Sequence, residues 1–152
     1  MTFRCVRIDA DGTATALDEG QSSLDHARDL FDGDVEVVSL TRMPGSGWEH
    51  VGPDVGFVHG TGVFRFEAGE DEFRLNVKGW GLYGRSPIFG PLIVAHDDGR
   101  DLDPQVLDWV QRATWTEMMA AGGYPNEIIA AAQSMMGQIA AREYGLVMVP
   151  GL

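Results

Sequence analysis

Hydrophobic and polar positions alternate over residues 3–8, FRCVRI, and the Asp11-Gly12 pair behind them is a strong hairpin turn signal. A short return strand, TATAL, follows, so residues 1–17 read as a β-hairpin. The period then changes. In QSSLDHARDLF, Leu24, Ala27, Leu30 and Phe31 recur at helical spacing; Ser22 or Ser23 can cap the helix, and Asp25 stands in its first turn. Asp32-Gly33-Asp34 stops this helix, and VEVVSL at 35–40 returns to strand. The opening forty residues predict β-β-α-β.

The middle of the chain is patterned by glycine. MPGSGWEHVGPD, 43–54, reads as a loop. Strands are expected at 55–59 (VGFVH), 63–67 (VFRFE) and 73–77 (FRLNV), the last two joined into a hairpin by the acidic turn AGEDE. GWGLYGRSPIFGP, 79–91, reads as a second Gly/Pro-rich loop, 92–95 as a short apolar strand fit for a sheet centre, and HDDGRDLD as an acidic turn. Asp103-Pro104 is a helix start, a cap followed by proline at the first helical position. Leu107, Val110, Thr114, Met118 and Ala121 share one face of a helix that Gly122-Gly123 ends. Pro125-Asn126-Glu127 opens another, with Ile128, Ala132, Met135 and Ile139 on one face and Ile129, Met136 and Ala140 beside them. Gly145 ends it, and LVMVP adds a last strand or a packed tail. The expected fold is α+β: a mixed or antiparallel sheet, one short helix near the N-terminus, and a C-terminal helical hairpin over 103–145. No repeat or linker divides the chain, so residues 1–152 read as a single domain.

Composition narrows the class. A chain of 152 residues can bury a core without metal or disulfide staples. No run approaches the roughly 20 apolar residues of a membrane span, and the opening MTFRCVRIDAD, with acids and no apolar stretch, does not read as a signal peptide. Eleven basic residues, of which only Lys78 is a lysine, face 23 acidic ones, for a net charge of −12. Such a surface repels nucleic acid and anionic membranes and favours a basic partner. The lone cysteine, Cys5, has no disulfide partner and sits in an apolar run, so it reads as a buried small hydrophobe in a reducing, cytoplasmic setting.

Three stretches, VRIDADGTATAL with LDHARDLFDGDVEVVSL, then LNVKGWGLYG, then IFGPLIVAHDDGRDLD, resemble a small domain-of-unknown-function family of actinobacterial, firmicute, phage and plasmid genes. The similarity spans residues 3–103. The helical hairpin is an addition, and the insertion GSGWEHVGPDVGFVHGTG, 45–62, stands where the family pattern has a shorter connection. The resemblance implies a small α+β fold in a phage or mobile-element context and carries over no catalytic residue.

Candidate chemistry is sparse. Asp9-Ala10-Asp11-Gly12-Thr13 is similar to the first motif of haloacid-dehalogenase-type phosphatases; with Asp97-Asp98 as magnesium ligands and Lys78 on phosphate, it gives a metal-dependent phosphohydrolase as one alternative. That chemistry needs a parallel sheet with helical crossovers, which the pattern lacks, and DADGT is equally a hairpin turn. Histidines 26, 50, 59 and 96 form no ligand spacing and read as surface or loop residues. Asp97, Asp98, Asp101 and Asp103 lack the spacing and closing glutamate of a calcium loop, so no metal or other cofactor is expected. Trp48, Trp80, Tyr83 and Arg85 occupy the two Gly-rich loops and are of the residue types that anchor interfaces; they are the candidate binding residues, with Trp80 also suited to roofing the core. Met118, Met119, Met135 and Met136, with Trp109 and Trp115, give the helical hairpin apolar residues over more than one seam. The reading that results is a non-enzymatic acidic protein that binds a host protein with a basic or apolar surface, through nucleic-acid mimicry in one version. A homodimer through the C-terminal helices is a further expectation. A small-molecule or nucleotide binder, with a pocket between loops 43–62 and 79–91, is the other alternative.

Overall fold

A computed structural model describes residues 3–17, 21–40, 53–59 and 74–144, with side chains through Ile139. Its centre is a five-stranded antiparallel sheet, so the fold is α+β. The strands are β1 (Cys5–Ile8), β2 (Ala14–Leu17), β3 (Val35–Ser39), β4 (Val55–His59) and β5 (Leu92–Ala95), in the spatial order β2-β1-β5-β4-β3. The helices are α1 (Ser23–Leu30), α2 (Val77–Tyr83), α3 (Pro104–Arg112), α4 (Trp115–Ala121) and α5 (Asn126–Tyr144).

The β1–β2 hairpin closes as its turn residues dictate. Asp9 N donates to Thr13 O at 2.9 Å, Asp11 Oδ1 accepts from Thr13 N at 2.9 Å, and Gly12 takes the positive φ of +91°. β5 then fills the centre, pairing with β1 through Val6–Val94 and with β4 through Gly56–Val94. All four of its side chains are buried, the mark of a strand covered on both faces.

Alternation divides the apolar side chains between those faces. Val6, Ile8, Val58, Leu92 and Val94 meet Leu102, Val106 and Val110 around α3, together with Leu82 and Met118. On the other face Cys5, Val55, Phe57, Ile93 and Ala95 meet Ala27 and Phe31 of α1. A third cluster lies off the sheet, where Trp80, Trp115, Met119, Ile129, Met136 and Ile139 join α2, α4 and α5.

The structure departs from the sequence reading in two places. Residues 74–77, the described part of the strand expected at 73–77, are not a strand, and 79–91 is not wholly a loop. Leu75 makes one bridge to Phe89, Asn76 caps a helix, and that helix runs through Val77–Tyr83 despite Gly79 and Gly81. Tertiary contact overrides the poor helix propensity of glycine. A Cβ on Gly81 would stand 2.9 Å from Met118 Sδ and 3.0 Å from Met118 Cβ, so only glycine lets α2 lie against α4. Second, the helix expected over 104–121 is two helices. Ala113 is extended, with ψ 139°, and Thr114 restarts the chain with a capping box to Glu117. The expected strand at 63–67, the AGEDE turn and the LVMVP tail lie outside the described residues.

The α2 start depends on one buried amide. Asn76 Nδ2 donates to Ile8 O at 2.9 Å and to Gly90 O at 2.8 Å, while its Oδ1 accepts from Gly79 N at 2.9 Å. Asn76→Ala removes all three bonds and leaves their buried partners unpaired. We expect it to cost about 3–5 kcal/mol of unfolding free energy, read from the urea midpoint.

Candidate functional site

The four candidate binding residues do not form one surface. Trp80 is 2% exposed, packed edge-on to Trp115 with ring centroids 5.6 Å apart, so it belongs to the core and is not displayed. The cause is the helical start at Asn76, which turns the indole inward toward α4 and α5. Tyr83 is half-buried at the end of α2, and Arg85 is exposed with its guanidinium 6.0 Å from the Tyr83 ring centroid, a cation–π pair. Trp48 lies outside the described residues, as does most of the 43–62 segment expected to wall a pocket.

The phosphatase-like residues are divided by topology. β5 runs antiparallel to β1, with Ile8 opposite Leu92, so Asp9 and Asp11 lie at one end of the sheet and Asp97 and Asp98 at the other. Asp9 holds Arg7 Nε at 2.9 Å. Lys78 does lie beneath the DADGT turn, its Cε 4.0 Å from where a Cβ on Gly12 would stand. Its ammonium points elsewhere, donating to Val110 O and Gln111 O at 2.9 Å each, where it neutralises the negative C-terminal end of α3. Burial holds its pKa below the ordinary lysine value. Among the described residues, no group of three or more His, Cys, Asp and Glu side chains is placed to hold a metal ion.

The histidines are more integrated than surface residues. His59 lies on β4, 3.6 Å from Asp34 and edge-on to Phe31, and His96 is buried directly after β5. His26 is half-buried on α1, and His50 falls outside the described residues.

What the structure does gather is acid at one end of the sheet. Asp54, at the start of β4, accepts from Asp97 N at 2.6 Å. Asp98 accepts from Arg100 N at 3.1 Å, and Asp103 caps α3 through Gln105 N. Arg4 braces this turn from β1, donating Nη1 to Gly99 O at 2.7 Å and facing Asp101 at 3.3 Å. Two arginines thus stand among five aspartates, and Asp97 and Asp98 are exposed. Asp54 and Arg4 are the members the sequence reading missed. Their only signal is proximity to strand starts that the register later aligns.

No protein-family model matches the chain, and no curated protein or solved structure matches it. Among the described residues, no helix is long and apolar enough to cross a membrane.

Cys5 is fully buried, and burial pushes its thiol up to about 11 against a weaker opposing pull from Arg4. An unfolded thiol ionises near 9.0. Between these values the unfolded chain gives up a proton that the folded one keeps, so stability falls as pH rises through the window. Lys78 contributes the opposite slope below 10.5, since its folded pKa is depressed. The difference between wild type and Cys5→Ala therefore isolates the thiol. Wild type should lose on the order of 2–3 kcal/mol more than the variant across that interval, measured by urea unfolding at stepped pH.

Proposed function

We propose that this is a non-enzymatic recognition protein whose acidic surface binds a basic patch on a protein partner. The observation that carries the reading is how most of the described cations are used. Lys78 is spent on the end of α3, and Arg4, Arg7, Arg100 and Arg112 each face an aspartate of the same chain. Carboxylates outnumber the cations beside them at the sheet end bearing Asp54, Asp97, Asp98, Asp101 and Asp103. Field of one sign at an exposed edge steers and selects a partner of the other. A host protein as that partner, with the chain encoded by a phage or mobile element, follows from the family resemblance of residues 3–103. A partner that ordinarily holds nucleic acid is the form in which this surface acts as a mimic.

Capture of partners from host lysate tests this reading. We expect the captured protein to be basic, its affinity to fall about tenfold or more between low and high salt, and Asp97→Asn with Asp98→Asn to reproduce part of that loss at low salt. Affinity independent of salt would remove the electrostatic basis of the proposal.

A specific observation favours a second surface. Ile128 and Met135 on α5 are each 49% exposed, and no charged residue occurs from 128 to 141. Two copies of a protein with a net charge of −12 repel least along such a stripe. We infer a homodimer through α5, and Met135→Glu should shift the mass seen by light scattering from dimer to monomer.

A further inference from the structure

The cleft beside α1 carries an inference of its own. α1 packs chiefly over β4 and β5, and the β1–β2 hairpin adds Cys5 and Leu17 to the same face. The space between holds about 290 Å³ and is lined by Arg7, Leu17, His26, Asp29, Leu30 and Ile93. Its apolar floor is formed by the half-buried Leu17 and Leu30, and Ile93, the register partner of Arg7, is fully buried behind them. His26, Asp29 and Leu30 fall three and four residues apart, so one edge of α1 forms a wall. Arg7 forms the opposite wall.

The two walls carry opposite charges with bonding capacity to spare. Asp9 takes the Nε of Arg7, while the two terminal nitrogens of that guanidinium carry no hydrogen bond to a described residue. Gln21 takes Oδ2 of Asp29 at 3.1 Å and leaves Oδ1 open among the described residues. A simple anion entering here meets Asp29 and the acidic field of the whole chain. A simple cation meets Arg7. A neutral apolar molecule covers both charges without pairing either, which is costly. Only a ligand carrying both charges satisfies both walls, with an apolar part for the floor. The volume of about 290 Å³ lies just under the roughly 300 Å³ where pockets for drug-sized ligands begin, a size that suits a small metabolite.

We propose that this cleft binds a free aliphatic α-amino acid, its carboxylate on Arg7, its ammonium on Asp29, and its side chain over Leu17 and Leu30. The probes are leucine, N-acetyl-leucine, which lacks the cation, and leucinamide, which lacks the anion. Methyl-labelled full-length protein is titrated by NMR. Leucine should shift the methyl signals of Leu17, Leu30 and Ile93 saturably, and each analogue should bind about tenfold or more weakly, the expectation for one lost charge-assisted pairing. Arg7→Gln should abolish the preference for leucine over leucinamide, and Asp29→Asn the preference over N-acetyl-leucine. No saturable shift at millimolar leucine, shifts confined to other residues, or equal binding of the three compounds to wild type would each overturn the assignment. The wild-type comparison stands whether or not the variants fold.

Discussion

A single buried carboxamide orders the half of the molecule that the sheet alone cannot hold. Asn76 reaches the last residue of β1, the turn at Gly90 and the first turn of α2 with one side chain. Both of its amide hydrogens and its oxygen are used, so a fully buried polar group is kept without an unpaired donor. Two residues on, Lys78 reaches the last carbonyls of α3. α2 is thereby tied at its start to the sheet and along its length to the helix that covers the sheet. With α2 fixed, Gly81 admits Met118, Trp80 meets Trp115, and α5 closes the third cluster through Ile129, Met136 and Ile139. The glycines that argue against a helix at 79–84 are what permit this packing. Gly84 illustrates it twice: its φ of +82° ends the helix, and the Tyr124 ring occupies the space a side chain would need.

The same arrangement decides where charge can appear. The one lysine of the chain is inside, held by carbonyl dipoles and not by a carboxylate. A buried ammonium is tolerated only when its donors are satisfied, and the end of α3 supplies oxygens of the right sign. Arginines remain nearer the surface but face aspartates two to four residues away, as Arg7 does Asp9 and Arg112 does Asp108, or across strands, as Arg4 does Asp101. In these pairs positive charge helps to fix turns and helix ends, and carboxylates remain in excess over the chain.

Much of the sheet was legible. The hairpin of residues 3–17, α1, the β3, β4 and β5 strands and the starts of α3 and α5 all follow from period and capping residues, since these signals are local. What failed was non-local or overlooked. Thr114 and Glu117 are a readable capping box, but the apolar face running through Val110 and Met118 masked the break between α3 and α4. α2 was not readable, because its helix depends on contacts with β1 and α4 that lie tens of residues away. Trp80 carried two readings for the same reason: an indole in a Gly-rich stretch can be displayed or can roof the core, and the helix at Val77–Tyr83 places it in the core. The acidic turn was legible as residues, whereas its bracing by Arg4 and Asp54 required the register.

Strand direction, more than residue type, decides where the acids of this chain lie. In an open parallel sheet the carboxyl ends of all strands meet at one edge, and acids that follow successive strands converge there. This sheet is antiparallel throughout. Asp9 follows β1 and Asp97 follows β5, yet Val6 opposite Val94 and Ile8 opposite Leu92 send them to opposite ends. An acid-rich sequence on such a frame distributes its carboxylates as a field over two edges. At the end holding Asp54, Asp97 and Asp98, the Asp54 and Asp98 carboxylates each accept a backbone N–H of the turn. For the recognition role proposed above, carboxylates held in this way lose less entropy when a partner docks than mobile ones would.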